Sequence, residues 1–136
     1  MNAVDTNILL YVYAPRDPAK QAAAASPLQS LTDGVLLWQV ACEYLAASRK
    51  LELLGYNRSQ AWQDIRDLHR VWTTILPSWG VLDQAERLLS SYSLSFWDGM
   101  IIAACLEGGV TRLYSEDLDA YPRVDGLEIV NPFKVR

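Results

Sequence analysis

Hydrophobic residues in this chain fall into two alternating patterns, short continuous runs and longer stretches in which they recur every three or four positions. Short apolar runs are typical of strands buried on both faces of a parallel sheet. The candidate strands are residues 1–4, 35–37, 73–76, 111–114 and 127–130, of which 35–37 is apolar throughout and the others mix apolar with polar residues. Their alternation with helical stretches predicts a three-layer α/β/α fold around a central, mainly parallel sheet of about five short strands.

Helical spacing covers residues 8–13, 19–30, 38–54, 61–72, 81–92 and 95–105. Pro15 separates the first two stretches and Gly55 ends the third, while Asp33-Gly34 and Asp125-Gly126 predict turns. The last stretch, which begins at Ser95, is apolar nearly all round. Such a pattern predicts a helix at the buried centre of the fold.

The composition is that of a folded chain, with 51% apolar and 21% charged residues among 136. This length is the commonest for one domain, so we expect a single domain over residues 1–136. No stretch approaches the roughly twenty apolar residues of a membrane span, and the N-terminus has no signal-peptide pattern. These features predict a cytoplasmic protein without a membrane partner.

The formal net charge of −4 argues against charge-driven attraction to nucleic acids or anionic membranes. The constraint is weak, because carboxylates that bind a metal ion are neutralised and do not repel a phosphate. Four such acids would account for the whole negative excess.

Several residue types that often mark functional sites carry structural predictions here. Cys42 and Cys105 lie in apolar helical patterns without His or Cys at metal-binding spacing, so both are expected to be buried free thiols. His69 lies on the apolar side of its helix and is expected to pack there. The five tryptophans occur mostly at core spacings, although one exposed ring would be able to stack on an unpaired base.

Four acidic residues stand where a parallel sheet could gather them. Asp5 ends the first strand, and Asp117 follows the strand that begins at Thr111. Asp98 is in the first turn of the most apolar helix, and Glu43 is in the first turns of the helix after the second strand. Because ligands bind beyond the carboxyl ends of parallel strands, we expect all four at one edge of the sheet.

Taken singly, three of these acids have structural explanations. Asp5 is placed to cap a helix, and Asp117 to stabilise a turn. Asp98 has the capping-box spacing from Ser95. Glu43 differs, because it borders a buried apolar stripe and needs a positive partner there.

Taken together, four converging carboxylates repel one another unless a cation is present. Oxygen ligands without His or Cys select hard ions, which means Mg²⁺ or Mn²⁺ when water stays in the coordination shell. Such ions polarise a phosphate and lower the pKa of a bound water. The pattern therefore predicts metal-assisted hydrolysis of phosphodiester bonds.

The same residues resemble the four acidic motifs of the PIN-domain family. Their order and spacing are similar to those of VapC-type toxin ribonucleases of bacterial and archaeal toxin–antitoxin pairs, and the resemblance runs from Met1 to Phe133. The motifs are Val4-Asp5-Thr6-Asn7, the helical Glu43, Leu94-Ser95-Phe96-Trp97-Asp98 followed by Ile101-Ile102-Ala103-Ala104, and Leu113-Tyr114-Ser115-Glu116-Asp117.

This resemblance implies a Mg²⁺-dependent endoribonuclease, with Mn²⁺ as a substitute metal. It implies an RNA substrate, a homodimer, and a cognate antitoxin protein that occupies the active-site groove. The metal-binding catalytic acids that it implies are Asp5, Glu43, Asp98 and Asp117.

Further residues are candidates for supporting roles. Ser115 corresponds to the small residue, two before the last acid, that helps position metal or phosphate. Glu116 and Asp119 compete with Asp117 for the last motif, and strand alternation with the family spacing favours Asp117. The other supporting candidates are Thr6 and Asn7, and the candidates for contact with RNA are Arg49 and Lys50.

Other functions remain as alternatives. A receiver-type phosphorylation module needs a Lys after a late strand, where this chain has Ser115-Glu116-Asp117. A phosphatase of the haloacid-dehalogenase type needs a second Asp two residues after Asp5, where this chain has Asn7. A catalytically silent interaction module with the same fold is the more serious rival, and the presence of all four acids argues against it.

Overall fold

The computed structural model describes residues 1–13, 18–30 and 33–134. Its strands are β1 Asn2–Val4, β2 Gly34–Leu37, β3 Thr73–Ile75, β4 Arg112–Tyr114, β5 Arg123–Val124 and β6 Leu127–Val130. Its α-helices are α1 Thr6–Tyr13, α2 Pro18–Ser30, α3 Trp38–Ser48, α4 Arg58–Val71, α5 Trp79–Ser91 and α6 Phe96–Glu107.

The described strands form one sheet in the order β3-β2-β1-β4-β6-β5, parallel except for β5. The predicted three-layer α/β/α architecture is confirmed, with six strands where about five were expected. The additional strand pairs antiparallel with β6 through the predicted Asp125-Gly126 turn. Both turn residues have positive φ, at 49° and 88°, which is the conformation of a tight hairpin.

The strand order reverses beside β1. From β1 the chain winds outward to β2 and β3 on one side, and then continues with β4 on the other side. At such a switch point the connections leave the strand ends in opposite directions, which opens a crevice at the carboxyl edge of the sheet. Asp5 follows β1 at this crevice, and Ser115 follows β4.

The core lies around β2 and α6. All four residues of β2 are buried, as expected for an interior strand covered on both faces. In α6 the buried residues include Ile101, Ile102, Ala103 and Cys105, so the predicted central helix is confirmed. Its first turn is different, because Phe96 and Trp97 project into solvent.

Some predicted boundaries shift. The helix expected over 38–54 is α-helical only to Ser48, and Arg49–Leu54 continues it as a 3₁₀-helix that ends at Gly55 with φ 90°. Gly34, expected in a turn, is the first residue of β2, where the ring of Trp72 packs against its α-carbon. The interruption expected at Pro15 lies outside the described residues.

Three predictions about individual side chains are wrong. Cys42 is a free thiol but exposed, whereas Cys105 is free and buried as expected. His69 is exposed and hydrogen-bonds to Thr74, because the buried stripe of α4 passes through Leu68. Of the tryptophans only Trp72 is buried. The exposed ones stand beside a buried stripe or in the first turn of a helix, where no neighbouring layer covers them; they are Trp38, Trp62, Trp79 and Trp97.

Within the described ranges, every helix is too short or too polar to span a lipid bilayer.

Candidate active site

Asp5 occupies the junction between β1 and α1. Its backbone N–H donates to the carbonyl of Tyr114 on β4 at 2.8 Å, which fixes the junction to the neighbouring strand. Its carboxylate accepts from the Thr6 N–H at 2.7 Å and from Ser115 Oγ at 2.9 Å. Asp5 is only 6% exposed, so both hydrogen bonds hold an acid that is nearly closed off from water.

This environment raises the pKa of Asp5 to about 6. Burial is the largest cause, because it penalises the charged form. The hydrogen bonds from Thr6 and Ser115 lower the pKa, and the negative charges of Glu43 and Asp117 raise it again. Glu43 and Asp117 therefore lie close enough to Asp5, at this edge of the sheet, for their charges to affect its pKa.

Glu43 projects from α3 toward the same place, where its carboxylate accepts a hydrogen bond from Thr6 Oγ1 at 2.9 Å. Within the described residues Glu43 makes no ion pair, so the positive partner expected from its position is not a salt-bridged side chain. A hydroxyl group from α1 supports it instead, and Lys50 lies on the same wall of the cavity.

Asp98 lies in the first turn of α6, where its N–H donates to Ser95 Oγ at 3.2 Å. Half of the predicted capping box is therefore present. In the described part of the chain, the Asp98 carboxylate does not return a hydrogen bond to the Ser95 amide, and it lines the acidic cavity. The helix is capped by Ser95, which leaves the acid available for another role.

Asp117 lies in the loop after β4 and accepts a hydrogen bond from Asn7 Nδ2 at 2.9 Å. Its own N–H donates to Ser115 Oγ at 3.3 Å, so Ser115 connects it to Asp5. Partial burial raises the pKa of Asp117, followed by the charges of Glu116 and Asp98. Because the charge of Asp98 contributes to this shift, Asp98 lies near Asp117 in the same group of four acids.

All four acids line one cavity of about 380 Å³ at the carboxyl edge of the sheet. Parallel strands place the ends of β1 and β4 side by side, and the helices that follow β2 and precede β4 bring in the other two acids. The complete lining is Asp5, Thr6, Asn7, Leu10, Glu43, Ala46, Ala47, Lys50, Asp98, Ile101 and Asp117.

The PIN domain family model matches residues 3–127 of this sequence, which covers all four acids. The chain belongs to the PIN-domain family. None of the curated proteins matches its sequence significantly.

Solved structures share the fold of this PIN domain at low sequence identity. A toxin–antitoxin complex from Klebsiella pneumoniae has a TM-score of 0.74 at 18% identity, covering 99% of this chain and 100% of that chain. VapC20 from Mycobacterium tuberculosis, described as a toxin that cleaves the sarcin-ricin loop, has a TM-score of 0.71 at 17% identity, covering 94% and 99%. FitAcB from Neisseria gonorrhoeae has a TM-score of 0.73 at 18% identity, covering 99% and 100%.

Within the PIN domain, the three acids after β4 have different surroundings. Asp117 lines the cavity, whereas Glu116 turns to the opposite side and bonds to Tyr11 and Lys20. Asp119 pairs with Lys134 and accepts a hydrogen bond from Asn131. Arg49 likewise lies outside the cavity lining, while Lys50 is part of it.

The donors around the cavity fit a hard divalent cation. They are oxygen atoms, and the mutual repulsion of the acids is the kind that a bound cation relieves. Among the described residues, no three His, Cys, Asp or Glu side chains are close enough together to hold one ion jointly. Mg²⁺ does not require three carboxylates at one point, because it is commonly held by one or two of them together with several waters.

Two small residues of this site were not anticipated from the sequence. Ala46 and Ala47 on α3 line the cavity between Glu43 and Lys50, which belongs to the 3₁₀-helix that continues α3. The signal was available, because positions three, four and seven after Glu43 share its face of the helix. Small side chains at the two middle positions keep the cavity open along that face.

Proposed function

We propose that this PIN domain is a Mg²⁺-dependent endoribonuclease of the VapC type, with Mn²⁺ as a substitute metal. The observation that carries the proposal is the shared cavity of Asp5, Glu43, Asp98 and Asp117. The similar solved structures support it, since one is described as a toxin that cleaves the sarcin-ricin loop and another as a toxin–antitoxin complex.

The chain's own residues would divide the work at this cavity. One or two of the cavity carboxylates of Asp5, Glu43, Asp98 and Asp117 would hold the metal ion together with waters, and Thr6 and Ser115 fix the orientation of Asp5. The bound ion supplies phosphate polarisation and an activated water molecule.

Two further groups prepare the cavity for substrate. Lys50 is placed to offset the charge of a phosphate on the same wall of the cavity. Asn7 and Thr6 hold Asp117 and Glu43 by hydrogen bonds at 2.9 Å each, so α1 orients two acids from separate elements.

The proposal extends to the physiological setting. The chain would act in the cytoplasm as one domain over residues 1–136, form a homodimer, and be held inactive by a cognate antitoxin protein. Expression of the chain should then arrest growth, and co-expression of its antitoxin should restore it. If the chain cleaves RNA but does not affect growth, the toxin role would be contradicted and the ribonuclease activity would stand.

The direct test is cleavage of structured RNA by the purified chain with Mg²⁺ and with EDTA. We expect cleavage only with metal, and a loss of roughly 10²- to 10³-fold in Glu43→Gln and Asp98→Asn, because each removes charge that stabilises the transition state through the metal. Asp83→Asn is the matched control, since Asp83 is an exposed acid on α5 outside the cavity lining. Undiminished cleavage in EDTA, or in both cavity variants, would contradict the proposal.

A further inference from the structure

Glu116 is an acid beside the cavity that the proposed chemistry does not use. It is 19% exposed, and it lies between Ser115, which bonds to Asp5, and the cavity residue Asp117. Its Oε1 accepts a hydrogen bond from the Tyr11 hydroxyl at 3.1 Å, and its Oε2 lies 3.4 Å from Lys20 Nζ. Both oxygens are therefore directed away from the cavity toward α1 and α2.

These contacts form a connected group, which we name the Glu116 brace and define as Tyr11, Lys20 and Glu116. Lys20 Nζ also donates to the Tyr11 hydroxyl at 3.0 Å and lies 4.8 Å from the centre of the Tyr11 ring. Phe133 closes the group, since its ring packs edge-on against Tyr11 at 5.0 Å. An ion pair, hydrogen bonds and ring contacts thus hold the side chains of Tyr11, Lys20 and Glu116 together.

The brace and the cavity share one face of α1. Asn7 and Tyr11 are four residues apart, so their side chains lie on the same side of the helix. Asn7 donates to Asp117, and Tyr11 donates to Glu116, the residue immediately before it. One face of α1 therefore binds two consecutive residues of the loop after β4.

Asp117 depends on such support. In the described part of the chain its carboxylate accepts one hydrogen bond, from Asn7, and its side chain is otherwise directed into the open cavity. The direction of that carboxylate is consequently set by the Asn7 hydrogen bond and by the backbone that carries Asp117. The backbone is tied by Ser115 on one side and by the buried side chain of Leu118 on the other.

We propose that Glu116 is a positioning residue, which through Tyr11 and Lys20 holds the loop after β4 so that Asp117 faces the metal ion. The inference rests on the proposed function in assigning a metal ion to the cavity. It assigns Glu116 no contact with that metal. Loss of such outer contacts to a metal site typically weakens metal affinity by about 10- to 100-fold.

The test is titration of Mn²⁺ into the purified chain, followed by calorimetry, with RNA cleavage measured in parallel across metal concentrations. We expect Glu116→Ala to weaken Mn²⁺ binding by about 10-fold or more. Glu116→Gln retains an acceptor for the Tyr11 hydroxyl and should fall between Ala and the unchanged chain. Tyr11→Phe keeps every carboxylate and should still weaken binding.

The variants separate positioning from direct ligation. If Glu116 bound the metal itself, Gln would be as damaging as Ala and Tyr11→Phe would be silent. That pattern, or unchanged Mn²⁺ affinity in Tyr11→Phe and Glu116→Gln, would overturn the brace. Glu52→Ala is the matched control, because Glu52 is also paired with a cation, Arg58, at 2.7 Å on a remote element. Circular dichroism confirms folding, and the two conservative variants carry the test if Glu116→Ala does not fold.

The outcomes also distinguish this inference from the proposed function. A chain whose Mn²⁺ affinity falls in the brace variants but which cleaves no RNA would remove the nuclease and keep the positioning role. A chain that cleaves RNA while Tyr11→Phe binds metal normally would remove the positioning role and keep the nuclease.

Discussion

Asp5 is the residue with the strongest conflict between burial and charge. Its folded-state pKa of about 6 lies above the ordinary value of 3.8, so folding favours the protonated form. The stabilisation that results is complete below about pH 4 and is lost as the pH rises through about 6. At neutral pH the ionised, buried Asp5 therefore lowers the free energy of unfolding. A bound cation would offset this unfavourable charge.

The first prediction follows from this sign. In EDTA, Asp5→Asn should be more stable than the unchanged chain at pH 7.5, by at most about 3 kcal/mol, and the difference should vanish near pH 4. Asparagine keeps an acceptor for the Thr6 N–H without a buried charge. Urea denaturation of both proteins across this pH range measures their free energies of unfolding. Groups that titrate in both proteins contribute equally, so their effect cancels in the difference. A difference that does not change with pH would contradict the assigned role of burial.

At the scale of elements, a polar network joins α3 to α4. Asp64 on α4 is buried and accepts hydrogen bonds from Tyr44 at 3.1 Å, Tyr56 at 2.6 Å and Gln60 at 2.8 Å. Burial and the Asp64 charge raise the pKa of Tyr44, and burial with the hydrogen bond to Asp64 raises that of Tyr56 to about 12. Because Tyr44 neighbours Glu43 in sequence, this network also steadies the helix that carries a cavity acid.

The network leads to a stability prediction. Tyr44→Phe should lower the free energy of unfolding by about 1–3 kcal/mol, because a buried hydrogen bond to a charged acceptor is lost. Asp67→Ala on the same helix removes an exposed ion pair with Arg70 and should cost less than about 1 kcal/mol. Urea titrations of the two variants at pH 7 provide the comparison. Equal effects would show that Tyr44 contributes packing alone.

At the scale of the whole molecule, four of the 16 acidic residues lie together where the sheet opens. The net charge of −4 does not favour nucleic acid binding, yet four acids gather in one cavity that also contains Lys50. A divalent cation would change the sign of the local potential there. Metal binding and substrate binding are accordingly expected to be coupled in this protein.

Metal binding should therefore stabilise the folded chain by mass action. Mg²⁺ or Mn²⁺ at ten times its dissociation constant should add about 1.4 kcal/mol and raise the melting temperature by roughly 5 °C. EDTA should reverse the shift, Asp98→Asn should reduce it, and Asp83→Asn should leave it unchanged. Differential scanning calorimetry measures these values. A melting curve insensitive to millimolar metal would count against a formed site.

The pattern of apolar runs predicted most of the architecture because it reflects burial directly. The strands were found to within one residue, and α6 was identified as central from its apolar surface alone. The two-residue β5 was missed, since Arg123–Val124 has too little apolar sequence to stand out and exists through pairing with β6. The tryptophans were misjudged because helical spacing indicates a face but not whether another layer covers it.

What the sequence by itself determined was the order of elements, because burial period and turn residues act locally along the chain, and it predicted which four acids lie at one edge of the sheet. Tertiary structure decided which of the neighbouring acids after β4 lines the cavity. Asp117 faces the cavity and Glu116 faces Tyr11 and Lys20, although both sit in one loop. The separation depends on where α1 and α2 lie against the loop after β4, and those are contacts over about a hundred residues of chain that no local pattern encodes.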